Sequence, residues 1–300
     1  MGKMSGSILS AALGAGLAAG AAFFYHKHKN READSIAKKG AAPLKPEKEM
    51  MVRMPDFIDD DRFRLAVQPV IDLQTGDIVG GEVLSRLHHP EQGVIFPDKF
   101  LPAVEEAGIY PRFDYYIFRK SCKLMQCLRA RGAAIEYLSC NFSRLTLSEN
   151  EAATRLSEIA DAFELPHECM AVEITEREQE KDTDQFCENL VEIKKAGFQI
   201  FVDDLGAGVT SVRDLWSYPV DVVKIDRSLL LSTDTEQGRS AYYGLRNLVV
   251  DLNCKVLCEG VETREQHQFV IDAGCHYGQG FLFYRPMEEE RFLSLVGAGD

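Results

Sequence analysis

FVDDLGAG, from Phe201 to Gly208, is an apolar run that ends in two adjacent carboxylates and then breaks on glycine. Three further stretches repeat the plan: VEITE from Val172, VVKIDR from Val222 and VLCEGVE from Val256. Short apolar runs bounded by turn residues read as buried strands, and each of these carries charge at its carboxyl end. Carboxylates beside buried strands are costly unless something compensates them, and a divalent metal is the commonest compensation. The pattern predicts a metal site built from strand ends.

Working outward, Asn141 ends LSCN, Glu173 sits in VEI, Asp203 and Asp204 end FVDD, and Lys224 sits in VVK. Glu259 follows VLC, and Gln279 lies in the turn YGQG ahead of FLF. VQPVID from Val67 and GGEVLSRL from Gly80 bring the strand-like runs to eight. Amphipathic helical stretches at residues 156–163, 186–196, 242–252 and 263–273 lie between them, the last opening on Thr263 and Gln266 in capping-box spacing. Alternating strands and helices over roughly 240 residues predict an α/β fold, a (β/α)8 TIM-type barrel whose site gathers at the carboxyl ends of the strands. A doubly wound open sheet is the alternative. One connection departs from the alternation. Only residues 73–77 separate the first two runs, whereas a parallel crossover needs about a dozen residues. The first strand should therefore run antiparallel to the second, through a hairpin at Thr75-Gly76.

Composition fits a globular domain, with 45% hydrophobic and 27% charged residues. A net charge of −13 argues against binding DNA or RNA polymers, which takes a basic face. The eight cysteines are scattered without a Cys-x-x-Cys pair, which is the usage of a reducing compartment rather than of a disulfide framework. At the amino terminus, Ile8 to Tyr25 is uncharged for 18 residues. As a helix it would span about 27 Å, enough for a bilayer core. Lys27, Lys29 and Arg31 follow it against Lys3 before it, so the positive-inside rule keeps the bulk of the chain in the cytoplasm. A cleaved signal peptide and a loosely associated tail are the rival readings. The predicted organisation is an apolar segment over residues 1–29 acting as a membrane anchor, a polar linker over 30–54, and a barrel over 55–300.

Seven short motifs in order carry a family resemblance: Glu82-Val83-Leu84, Cys140 to Ser143, Glu173 to Glu176, Asp203 to Gly208, Lys224 to Asp226, Glu259 to Glu262, and Gln279 to Phe281. Together they resemble the EAL-domain phosphodiesterases, which cleave the bacterial second messenger cyclic di-GMP, and the likeness runs from about Phe57 to Val296. The family's modified barrel, with an antiparallel first strand, agrees with the hairpin. The resemblance implies hydrolysis of cyclic di-GMP to linear pGpG with two Mg2+ or Mn2+ ions per site and a homodimer through the barrel; a cytosolic substrate, with the apolar segment and its basic flank, adds the expectation of an inner-membrane protein facing the cytoplasm. A catalytically silent receptor or scaffold for the same nucleotide is the alternative.

By the same resemblance, Glu82, Asn141, Glu173 and Asp203 ligate one metal, and Asp203 with Asp204 helps to hold a second. An oxygen-only donor set is what hard divalent cations select. Lys224 orients water or offsets phosphate charge, and Glu259 acts as a base or in the metal shell, the latter being favoured. Gln68, Arg86 and Gln279 contact the dinucleotide, Arg86 being suited to bidentate phosphate recognition, and Leu84 offers an apolar surface. Glu176 braces the loop from Asp204 to Ser211. Departures from the family pattern are Val83 for alanine, Leu205 for phenylalanine, Ala207 for threonine and Val209 for tyrosine; none removes a ligand. Thr175, Asp214, Asp226 and Glu262 are read as serving the fold, and His88-His89 ahead of Pro90 as a solvated turn.

Overall fold

The hairpin forms where expected. Asp72 Oδ1 accepts from the N–H groups of Gln74 at 2.7 Å and Thr75 at 3.0 Å, and Gly76 takes φ +81°, a conformation that glycine adopts at no steric cost. The turn joins β1 (Phe63–Asp72) to β2 (Ile78–His89), which pair antiparallel with Gln68 opposite Glu82 and Arg64 opposite Arg86. This structure is a computed structural model that describes residues 46–174, 184–206 and 212–297.

After β2 come β3 (Gly93–Ile95), β4 (Tyr137–Phe142), β5 (Met170–Ile174), β6 (Gln199–Leu205), β7 (Val222–Ile225), β8 (Lys255–Cys258), β9 (Tyr277–Gly278) and β10 (Met287–Glu288). Strands β2, β4, β5, β6, β7, β8 and β9 pair in parallel in that order, and β1 closes the ring by pairing antiparallel with both β2 and β9. The eight-stranded barrel with one reversed strand is thus present, and β3 and β10 are short additions paired to β2 and β1. The eighth strand differs from the sequence reading. FLF (residues 281–283) forms turns, and the strand is Tyr277–Gly278, inside the stretch taken as a turn. Two residues leave no periodicity to detect.

Helices cover the barrel with one apolar face each. Tyr110–Ala130 buries Phe113, Ile117, Phe118, Leu124, Met125 and Leu128, and Asp184–Lys195 buries Phe186, Leu190 and Ile193. Each such side chain contributes roughly 1.5–3 kcal/mol by leaving water. The capping box opens Arg264–Asp272: Thr263 Oγ1 accepts from Gln266 N at 3.2 Å, and Gln266 Oε1 accepts from Thr263 N at 3.0 Å. All eight cysteines are free thiols.

Two expectations at the amino-terminal side need correction or comment. The helix Pro46–Asp59 crosses residue 54, where the linker was taken to end, and Met54, Phe57 and Ile58 belong to the hydrophobic core. The charged start and the internal Pro55 hid the helical spacing of Met50, Met51, Met54, Phe57 and Ile58. The single-pass membrane anchor does not stand: among the described residues no helix is long and apolar enough to cross a membrane. Ile8 to Tyr25 lies outside the described residues.

Candidate active site

Side chains two apart on a strand share a face, and this period builds the site in two layers. The floor inside the barrel is Val70, Tyr137, Ala171, Phe201, Val222, Leu257 and Tyr277, all buried. Gly80 completes it, because a Cβ there would lie 2.7 Å from the Tyr137 ring. Two residues toward the carboxyl end stand Glu82 above Gly80, Glu173 above Ala171, Asp203 above Phe201, and Lys224 above Val222. Glu259 follows Leu257 and Gln279 follows Tyr277 by the same step; Asn141 is two steps beyond Tyr137. Strand β1 runs the other way, so Gln68 precedes Val70.

Lys224 is the hub. It is 2% exposed, and its Nζ lies 2.6 Å from Glu173 Oε1, 2.6 Å from Glu259 Oε1, 3.2 Å from Asp203 Oδ1 and 3.3 Å from Glu82 Oε2. Gln279 Nε2 donates to Glu82 Oε2 at 3.0 Å, and Asn141 Nδ2 donates to Glu82 Oε1 at 3.3 Å. Adjacent strand residues ordinarily face opposite ways, yet Asp203 and Asp204 work together. Asp204 takes φ +57°, a left-handed conformation that costs a non-glycine residue about 1–3 kcal/mol. Its N–H donates to Asp203 Oδ1 at 2.9 Å. The twist brings ligand atoms of Asp203, Asp204 and Glu259 within 4.8 Å of one another.

Too many carboxylates share this space for all to ionise easily. Burial pushes Glu173 well above the usual carboxylate range, against the pull of Lys224 and with Glu82 and Asp203 adding repulsion. Burial likewise pushes Glu259 up to about 8, and burial followed by the Asp203 charge pushes Asp204 up to about 6. Burial would raise Glu82 too, but Lys224, Gln279 and Asn141 outweigh it and hold Glu82 below its ordinary value. Burial works to lower Lys224, and the surrounding carboxylates overcome it and hold the ammonium well above its usual range. Among the described residues Glu173 Oε2 is buried with no hydrogen-bond partner, a costly state for a carboxylate oxygen. The five carboxylates of Glu82, Glu173, Asp203, Asp204 and Glu259 face the one ammonium of Lys224. When all are ionised, four charges are left over, which is what two divalent cations neutralise. The orphan oxygen and the oxygen-only donors fit hard divalent metals.

The remaining sequence candidates sit around this centre. Gln68 Nε2 donates to the Tyr284 carbonyl at 3.2 Å. Leu84 and Asn141 are on the wall of a 200 Å3 pocket with Pro97, Leu101 and Phe142. Arg86 is at the rim, its guanidinium donating to the Ser85 carbonyl at 2.8 Å and lying 4.8 Å from the Phe96 ring centre. Glu176, with Thr175, lies outside the described residues, as does the start of the loop after Gly206. Asp226 caps the helix Arg227–Leu231, and Glu262 pairs with Arg227 at 2.9 Å, both serving the fold. His88 and His89 are in β2 rather than in a turn. His89 is buried, and its Nδ1 accepts from the N–H groups of Glu91 and Gln92. One supporting residue escaped sequence reading: buried Asp114 accepts from Ser143 N at 2.9 Å and Ser143 Oγ at 3.0 Å, tying down the end of β4 just beyond Asn141. An aspartate on the apolar face of Tyr110–Ala130 was the only available signal.

Residues 51–286 match the model of the EAL domain. The chain belongs to the EAL domain family. Among curated EAL relatives, the cyclic di-GMP phosphodiesterase RocR of Pseudomonas aeruginosa is 31% identical over 79% of this chain and 60% of that protein. The cyclic di-GMP phosphodiesterase NbdA of the same organism is 29% identical over 80% of this chain and 31% of that protein. The chain thus spans about a third to three fifths of the length of these relatives. Among solved EAL structures, the PaMucR phosphodiesterase in complex with c-di-GMP superposes with a TM-score of 0.75 at 27% identity, over 81% of this chain and 99% of that one. An EAL domain protein from Listeria monocytogenes gives a TM-score of 0.73 at 26% identity, over 85% and 98% of the two chains.

Proposed function

We propose that this chain is a phosphodiesterase that hydrolyses cyclic di-GMP to linear pGpG and depends on Mg2+ or Mn2+. The observation that carries the reading is the ring of carboxylates around Lys224, with its orphan Glu173 oxygen, at the carboxyl ends of the barrel strands. Membership of the EAL family and the names of its relatives support the substrate.

Glu82, Asn141, Glu173 and Asp203 would hold one ion, and Asp203 with Asp204 a second, with Glu259 beside them. When bound, divalent ions supply Lewis acidity that makes water a better nucleophile and stabilises charge at phosphorus. Gln279 and Asn141 donate to the two Glu82 oxygens and fix the plane of that carboxylate. Lys224 gathers the carboxylates and keeps them aimed inward, and its ammonium would be a donor for the attacking water or for a phosphate oxygen. Gln68, Leu84 and Arg86 line the approach on one face of the β1–β2 ribbon, Arg86 offering a bidentate fork to phosphate. A homodimer through the barrel belongs to the same proposal and is checked by sedimentation. Incubating the purified protein with cyclic di-GMP and Mn2+, then identifying the product, tests the reading: pGpG is expected, and an unchanged cyclic dinucleotide contradicts it.

A further inference from the structure

Asn141 differs from the other ligand candidates in carrying no charge. A carboxylate is drawn to a divalent cation by Coulomb attraction, whereas a neutral amide contributes only if it is already in place. Its Nδ2 donates to Glu82 Oε1 at 3.3 Å, so Oδ1 is the atom it offers to a cation. What fixes this side chain is the strand end behind it. Phe142, the next residue, is buried against the helix Tyr110–Ala130, its ring centre 5.6 Å from that of Phe118 and 6.4 Å from that of Tyr115, both edge to face. Ser143 follows, and Asp114 of the same helix takes three hydrogen bonds there on one oxygen. Its Oδ2 accepts from Ser143 N at 2.9 Å, from Ser143 Oγ at 3.0 Å and from Thr146 Oγ1 at 2.5 Å. All three residues are buried.

A buried carboxylate on an apolar helix face is costly, and packing alone would be served by an apolar side chain at this position. The three donors that Asp114 gathers all belong to the turn that follows a metal-ligand candidate. That turn is held from its other side as well. Buried Arg144 donates to Tyr218 Oη at 3.2 Å and lies 5.0 Å from the Phe186 ring centre, and Asn189 Nδ2 donates to the carbonyls of Leu147 at 2.7 Å and Glu149 at 2.9 Å. The segment after Asn141 is thus fixed between the helices Tyr110–Ala130 and Asp184–Lys195. We propose that Asp114 is a positioning residue for Asn141, locking the end of β4 through Ser143 and Thr146 so that the amide oxygen is preset for a cation. This rests on the metal-dependent reading above.

Titration of the full chain with Mn2+, followed by the electron paramagnetic resonance of the free ion, tests the role. Asp114→Asn keeps the shape and removes the charge; it should weaken the binding of one Mn2+ about tenfold, the scale of a lost partner behind a metal ligand. Turnover of cyclic di-GMP should return at saturating Mn2+ with KM unchanged, because no ligand has been removed. Leu128→Ala supplies the comparison: Leu128 is buried on the same helix, 14 residues and so about 21 Å further along it. It should lower the thermal midpoint through lost packing and leave Mn2+ affinity as in the wild type. If Asp114→Asn does not fold, Thr146→Val removes one of the three donors at nearly constant shape and should weaken Mn2+ binding in the same sense by less. Unchanged Mn2+ affinity in whichever of these two variants folds, or an equal loss in Leu128→Ala, overturns the role of Asp114 and leaves the phosphodiesterase reading intact. A wild-type chain that binds no Mn2+ overturns both.

Discussion

Phe201 and Asp203 stand two residues apart on the same face of β6, yet they belong to layers with opposite energetics. The floor layer of Phe201, Val222, Leu257, Tyr137 and Tyr277 is apolar and close-packed, with Tyr137 and Phe201 rings edge to face at 5.0 Å. The layer above it crowds carboxylates around one lysine, keeps a buried oxygen without a partner, and holds Asp204 in a left-handed conformation. Strand period places both layers, and only residue type separates them. The lower layer stabilises the fold, whereas the upper one carries the cost of crowded, buried charge, a cost that the proposed cations would offset.

The largest effect expected from this contrast is on turnover. Asp203→Ala should abolish cyclic di-GMP hydrolysis, by at least about a thousandfold, with the thermal midpoint nearly unchanged; it removes a ligand from a site that needs its whole shell. Phe201→Ala should instead destabilise the fold by about 3–5 kcal/mol in denaturant titration, the range for a large aromatic lost from a core. Equal loss of stability in the two variants would erase the distinction between layers.

Lys224 sharpens the comparison. Lys224→Met leaves buried carboxylates without their counter-charge and should lower metal-free stability by about 3–5 kcal/mol, as breaking a buried ion pair does. Saturating Mn2+ should restore most of it, because divalent cations take over the neutralisation. If Mn2+ does not rescue the variant, the lysine is not standing in for cations.

Proton linkage gives a smaller effect with a definite sign. Glu259 at about 8 and Asp204 at about 6 lie above their ordinary values of 4.5 and 3.8, so between these limits the metal-free native state holds protons that the unfolded chain has released. Site stability is therefore present at low pH and is lost as pH rises from about 4 to about 8. Glu82, held below its ordinary value, acts in the opposite sense, with stability lost only as the pH falls below about 4. Mn2+ must displace the retained protons, so its affinity should rise with pH over the same window, with proton release visible by calorimetry in buffers of different ionisation enthalpy. Affinity independent of pH from 6 to 8 counts against the crowded-carboxylate description. The smallest effect belongs to the periphery: Thr263→Ala should cost about 1 kcal/mol through loss of the cap, with KM unchanged.

The layers were unequally legible in sequence. Charged residues at the ends of apolar runs exposed Glu173, Asp203, Lys224 and Glu259 directly, and the five-residue connection from Leu73 to Asp77 exposed the reversed strand. The two-residue strand Tyr277–Gly278 was too short to show a period, and Pro55 with its charged neighbours disguised the helix Pro46–Asp59. The membrane anchor was inferred from hydropathy over Ile8 to Tyr25, and no helix among the described residues supports it. Asp114 left only the faint signal of an aspartate on an apolar helix face, and the Phe96–Arg86 stack is a product of tertiary neighbourhood, which no local pattern announces.

The central claim, that the ring around Lys224 is a two-cation site, is tested most directly by equilibrium dialysis of Mn2+ against the wild-type chain and Asp203→Ala. Two ions per wild-type chain, with the variant losing at least one of them, is the predicted result. Identical Mn2+ binding by the two proteins, or none by the wild type, would contradict it.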